Sequence, residues 1–158
     1  AASALGRKPQ PLLAMSITGT VEFMNPPAEA LFGWTQEEVL GRNIKMLMGE
    51  PFASRHDSFL QKYQDRCLEA ERAQGDHVPA SNIVGSGRDV VAKHKSGSSL
   101  RIFLMVARMD RASGRAADCL FLGHIVPLRN PTEQEKALAQ EAAQHREARQ
   151  QRRRARLA

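Results

Sequence analysis

Asn25-Pro-Pro-Ala-Glu-Ala-Leu-Phe-Gly-Trp-Thr-Gln-Glu-Glu-Val-Leu-Gly41 holds two helix starts and two helix stops in close succession. Asn25 is a natural N-cap, and Pro26-Pro27 can open the helix behind it, because the first helical N–H groups have no intrahelical partner. Residues 28–32 form a short helix that Gly33 ends. After Trp34, Thr35-Gln36-Glu37-Glu38 reads as a capping box, with Glu38 at the third position, and Gly41 closes its helix.

The flanks of this stretch supply strands. Residues 12–18 are a short apolar run, Gly19-Thr20 is a turn, and Val21-Glu22-Phe23-Met24 alternates, so the segment reads as a β-hairpin stopped by Asn25-Pro26-Pro27. Downstream, residues 43–48 make another short helical turn. A longer helix carrying His56 follows and runs to about Gln74, where Gly75 ends it. A loop covers 75–81, and Ile83-Val84-Gly85-Ser86-Gly87 is a kinked entry to a strand. Three strands are expected over 88–95, 100–109 and 118–128, joined by the hairpin-like Ser96-Gly97-Ser98 and Arg111-Ala112-Ser113-Gly114. Asn130-Pro131 breaks the last strand, and Thr132-x-x-Glu135 is a second capping box that opens a helix through to the C-terminus.

Two strands, a cluster of short helices, three strands and a tail helix make an α+β domain with a five-stranded antiparallel sheet. The helices sit in one insertion and can cover only one sheet face. Yet in 100–109 both faces are apolar: Leu100, Ile102, Leu104 and Val106 share one, and Phe103, Met105 and Met109 share the other. The second face therefore needs its own cover, from the tail helix or a partner subunit. The chain divides into a lead-in (1–10), a folded domain (11–129) and a helical linker (130–158).

The 158 residues are enough for one domain with a real core, and 42% hydrophobic with 25% charged residues is ordinary for a globular protein. No apolar run approaches a membrane span and no signal-peptide core is present, so an intracellular, cytoplasmic setting is expected. Cys67 and Cys119 follow no metal or disulfide spacing and read as buried thiols. The net charge of +6 is uneven, with half of it in 131–158. The run Gln151-Arg152-Arg153-Arg154-Ala155-Arg156 offers charge to nucleic acid or an anionic lipid surface, but such a run is more often a solvated helix end, and its cations suit the macrodipole. The folded part has no basic–aromatic interleaving, so no nucleic-acid partner is expected. No phosphate-binding loop, nucleophile motif, or kinase or cyclase signature occurs, and an enzyme is not expected.

His56 is the residue that carries chemistry. With Ala53, Phe59, Leu60, Tyr63 and Cys67 it forms one stripe of an amphipathic helix. An imidazole on that stripe is either a packed, hydrogen-bonded core residue or one aimed at something bound inside, where its neutral form can ligate a metal.

The helix-rich stretch, above all Ala30-Leu-Phe-Gly-Trp-x-x-Glu-Glu-x-x-Gly41, resembles PAS sensor domains over about residues 11–128. Met46-Leu-Met-x-Glu-Pro-x-x-Ser-Arg-His-Asp-Ser-Phe59 with Tyr63, and Ile83-x-Gly-x-Gly-Arg88, resemble more narrowly the haem-binding PAS domain of FixL-type oxygen sensors. The resemblance implies haem b, with His56 as the proximal iron ligand and Arg88 as the distal residue that hydrogen-bonds the gas. It implies that Leu104 and Val106 line the distal side and that Phe121 and Gly123 match a Phe-x-Gly of the last strand. Lys62 stands where the family has a propionate-pairing Arg, keeping the charge and losing the bidentate fork. Asn82 replaces a His, beside Ile83. The loop between Tyr63 and Asn82 is about a dozen residues longer than the family pattern; its helix-favouring residues 65–74 extend the ligand helix, and it contains His77.

On this resemblance the chain is a sensory domain for oxygen or another diatomic gas such as carbon monoxide or nitric oxide. It would form a homodimer through the sheet face and terminal helix, with its effector (a kinase, cyclase or other domain) outside this chain. Flavin photosensors put a reactive Cys after Gly-x-Asn; here Gly41-Arg42-Asn43 is followed by Ile44, so no flavin adduct is expected. The alternative is a ligand-free PAS module for dimerisation or protein–protein interaction.

Overall fold

The computed structural model describes residues 9–74, 78–79, 84–130 and 132–157. Its elements run β1 (Leu12–Ser16), β2 (Val21–Met24), α1 (Pro26–Phe32), α2 (Gln36–Val39), a 3₁₀ turn (Ile44–Leu47), α3 (Phe52–Arg72), β3 (Arg88–Lys93), β4 (Ser99–Asp110), β5 (Cys119–Pro127) and α4 (Glu133–Leu157). All strand pairs are antiparallel, in the order β2-β1-β5-β4-β3. The N- and C-terminal strands therefore meet in the middle of the sheet, with β2 and β3 at its edges.

The local signals act as the sequence predicts. Asn25 Oδ1 accepts from Ala28 N at 3.1 Å and from Leu12 N at 2.8 Å, so one side chain caps α1 and ties it to β1. Gly33 caps the other end in the left-handed region (φ 78°), and the His94 ring lies where a Cβ would stand, 2.5 Å from His94 Nε2. Thr35 and Glu38 make the reciprocal capping box. Between Tyr63 and the glycine at 75 nothing breaks a helix, and α3 runs to Arg72 as the extra residues favour.

Chain register assigns the faces. Leu13 opposes Gly123, Met15 opposes Phe121, Leu104 opposes Ile125, Val106 opposes Gly123 and Arg88 opposes Leu104. Side chains opposite each other in an antiparallel pair share a face, so these all point to the helix side of the sheet. The main core lies there: Leu13, Val21, Met24, Ile102 and Ile125 meet Ala28, Phe32, Val39, Ile44 and Leu47 from the helical segment. A second cluster, Ile17, Tyr63, Cys67, Cys119 and Phe121, holds the far half of α3. Both cysteines are free and buried. The outer face carries Phe23, Val91, Met105 and Met109, all exposed, as the doubly apolar pattern of β4 requires.

The chain forms two compact units, residues 1–128 and 129–158. In the second, Thr132 and Glu135 complete a capping box (Thr132 N to Glu135 Oε2 at 2.8 Å, Glu135 N to Thr132 Oγ1 at 3.3 Å) and α4 buries none of its residues. No described helix is long and apolar enough to cross a membrane.

Candidate ligand site around His56

The two halves of α3 are held differently. The C-terminal half is anchored by polar contacts. Glu71 Oε1 accepts from Ala117 N at 2.7 Å, and Tyr63 donates its hydroxyl to Pro79 O at 3.1 Å. Arg108 reaches across from β4, donating from Nη1 to Tyr63 Oη at 3.0 Å and from Nη2 to Ala116 O at 2.7 Å. The Tyr63 ring meets Phe121 edge-on at 5.7 Å. The N-terminal half touches the 3₁₀ segment through Asp57, which accepts from Lys45 Nζ at 2.6 Å and Asn43 Nδ2 at 3.0 Å. Asp57 is thereby turned away from any dyad with His56.

His56 sits in this N-terminal half. Its ring is partly buried, and Nδ1 is fully shielded from solvent without a hydrogen-bond partner among the described residues. A buried ring nitrogen with no partner is costly unless something else meets it. Burial lowers the His56 pKa below the usual histidine range; Asp57 opposes this and Lys45 reinforces it. The imidazole is therefore neutral at pH 7, the form that can donate an electron pair.

The surroundings correct the expected stripe. Phe59, placed among the core-facing residues, is 50% exposed, because a 21-residue helix lying on a narrow sheet can bury only Tyr63 and Cys67 fully. Phe52, one turn before His56, is also 50% exposed. Phe52, His56 and Phe59 follow i, i+4, i+7 and form one stripe. The histidine thus stands between two solvent-exposed phenyl rings, an arrangement that a flat apolar group could cover. Sequence reading missed Phe52, although its spacing from His56 was available. It also missed Arg108, whose place in the alternation after Leu104 and Val106 puts it on the helix side.

The other residues named from sequence fall as follows. Leu104 and Val106 are partly buried on the helix side of β4, and Phe121 and Gly123 share that face on β5. A Cβ on Gly123 would meet Leu104 Cδ1 at 3.4 Å, an ordinary packing contact. Arg88 is exposed at the start of β3, its Cα opposite that of Leu104. Its preceding glycines have separate reasons. Gly85 is left-handed (φ 86°), and the Phe103 ring covers Gly87 so closely that a Cβ there would be 2.0 Å away. Lys62 is exposed on α3, about one and two-thirds turns beyond His56. Asn82, Ile83 and His77 lie outside the described residues. Two pockets of about 240 and 330 Å³ flank the start of α3, one lined by Ile17, Asn43, Asp57 and Leu60, the other by Lys45, Met48, Glu50 and Lys93. Neither is lined by His56, Lys62, Arg88, Leu104, Val106, Phe121 or Gly123, and no group of three or more potential metal-binding side chains occurs among the described residues.

A five-stranded antiparallel sheet with its short helices between the second and third strands is the PAS fold, and residues 8–75 match the family model of that description. The chain carries a PAS domain. Within that class it is similar to the sensor protein FixL of Bradyrhizobium diazoefficiens, 32% identical over 102 residues, which are 65% of this chain and 18% of that protein. Among solved structures it resembles the PAS domain of an HTR-like protein from Haloarcula marismortui (TM-score 0.54, 17% identity, 76% of this chain and 82% of that one). It also resembles Drosophila melanogaster Cycle PAS-B with bound glycerol (TM-score 0.52, 9% identity, 75% and 99%). At these identities the two likenesses speak for the fold alone.

Proposed function

We propose that this PAS domain is the sensory part of a signalling protein, binds haem b through His56 and responds to oxygen or another diatomic gas. The observation that carries the reading is the buried Nδ1 of His56, without a hydrogen-bond partner among the described residues, on a stripe whose two flanking phenylalanines are half exposed. The residues fit the group. A neutral imidazole is available as an iron ligand, Leu104 and Val106 offer an apolar wall on the helix side of the sheet, and Lys62 and Arg88 offer cations for carboxylates or a polarised ligand. Haem, when bound, supplies an iron that takes a diatomic gas. The protein's part is to fix the imidazole on α3, exclude water with Phe52 and Phe59, and couple α3 to the sheet through Tyr63 and Arg108. Similarity to a sensor protein over 102 residues supports the class. An effector would lie outside this chain, which spans 18% of that relative.

The test is haem reconstitution of the full chain beside a His56→Ala variant, read by visible absorption. A sharp Soret band that shifts with carbon monoxide and collapses in the variant is expected. A broad free-haem spectrum, the same in both proteins, would overturn the reading.

The exposed outer face of the sheet favours a second reading, a ligand-free module that dimerises through Phe23, Met105 and Met109. Failure of haem binding together with self-association would select it.

A further inference from the structure

Helix α4 runs from Glu133 to Leu157 with every described side chain exposed. Its large apolar residues, Leu138 and Leu157, lie at opposite ends. Over 146–156 it holds six arginines and one acid, Glu147. At 100° per residue, Arg146, Arg149, Arg152, Arg153 and Arg156 fall within an arc of roughly 120°, while Glu147 and Arg154 lie on the other side. The stripe is about 15 Å long at 1.5 Å per residue. The ion pairs of this unit, Lys136–Glu133 and Arg129–Glu135, are at its beginning. None of the stripe arginines makes an ion pair among the described residues.

Such a stripe works against its own helix. Arg149–Arg153 and Arg152–Arg156 are like-charge pairs at i, i+4, and Arg146–Arg149 and Arg153–Arg156 at i, i+3. The macrodipole rewards cations in the last turn only, so it accounts for Arg154 and Arg156 and not for Arg146 and Arg149, two turns or more earlier. A polyanion lying along the stripe would add an attraction at every arginine and so offset these repulsions.

The rest of the helix surface decides which polyanion. A membrane-surface helix needs large apolar side chains opposite its cations, and here that face is Glu147, Gln151, Arg154 and Ala155. The major groove of A-form RNA is too narrow for a helix, whereas that of B-form DNA admits one between two walls of phosphate. We propose that the arginine stripe of α4 docks on the phosphate backbone of duplex DNA without reading bases. This departs from the expectation of no nucleic-acid partner, because composition does not show the one-sidedness that helix geometry creates. It is independent of any haem at His56.

The experiment is fluorescence anisotropy of a labelled duplex of about 20 base pairs with the full chain, at salt concentrations from roughly 50 to 200 mM. The expected binding weakens at least tenfold over that range and is the same for two unrelated sequences. Replacing Arg146, Arg149, Arg153 and Arg156 by Gln, a good helix former, should weaken it at least tenfold further and flatten the salt slope by roughly three to four. Arg154→Gln, off the stripe, should stay within twofold of the parent. Circular dichroism verifies that the helix persists in each. No binding at the lowest salt, equal loss from Arg154→Gln and Arg153→Gln, or tighter binding to phosphatidylserine vesicles or an RNA hairpin than to the duplex would each overturn the proposal.

Discussion

Arg108 shows how a charge is accommodated between α3 and the sheet. Its side chain is 9% exposed, yet it donates to Tyr63 Oη, Ala116 O and Asp110 Oδ1. Burial works against its charge, but the neighbouring Cys119, Tyr63 and Asp110 more than offset that and hold its pKa above the usual arginine range. Replacing it by Met leaves buried acceptors unmatched, and a loss of about 2–3 kcal/mol is expected in urea denaturation. Tyr63→Phe removes one hydroxyl and should cost about 1 kcal/mol. A double variant that loses less than the sum would confirm that the two residues act together. His56 gives a pH dependence with a definite sign. Its folded pKa lies below the unfolded value of about 6.5, so the unfolded chain binds the proton more readily. Its contribution to stability is complete above pH 6.5 and is lost as the pH falls towards the folded value. Urea midpoints from pH 8 to 5 should therefore drop in the cofactor-free protein, and His56→Leu should flatten that part of the curve. An unchanged slope in the variant would mean that other groups carry it.

The elements are where the sequence is most readable. Caps are local chemistry: Asn25, Thr35 and Thr132 each bond a backbone N–H within three residues, and each was identifiable from spacing alone. Asn25 also has non-local bonds, to Leu12 N and from its Nδ2 to Gln10 O at 2.9 Å. Asn25→Ala should thus cost more than a typical cap, about 2 kcal/mol, whereas Asn25→Asp, which retains the acceptor, should cost roughly half of that in thermal melts. Equal losses would place the effect in the Nδ2 bond to Gln10. The burial pattern of α3 was less legible. Apolar periodicity predicts which side chains share a stripe but not how far a sheet extends beneath them, and so Phe59 was expected inside. The Arg108–Tyr63 link was hidden for a similar reason: 45 residues separate the pair, and only strand register brings them together.

At the scale of the whole molecule, the sheet has one face committed to the helices and one that is not. Alternation along β4 made both faces apolar in sequence, and the structure leaves Met105 at 38% and Met109 at 48% exposure, with Phe23 and Val91 also open. Scattered apolar residues on a surface require no explanation, but these share one face of a single sheet, with Phe23 and Val91 on its two edge strands and the methionines on β4, and an apolar sheet face left open suits an interface. The register makes the patch testable. Met105 opposes His124 and Met109 opposes Leu120 on β5, so both methionines project from the outer face of β4, away from Leu104 and Val106. A charge at either position sits directly in any partner contact without touching the helix-side core. Met105→Glu with Met109→Lys is expected to leave the melting temperature within a few degrees, since exposed positions contribute little to folding. If two copies pair through this face, sedimentation equilibrium should show the parent chain associating and the double variant remaining monomeric over the same concentration range. A variant that still self-associates would move the contact off the sheet, and a parent that is monomeric throughout would leave the outer face for a different partner.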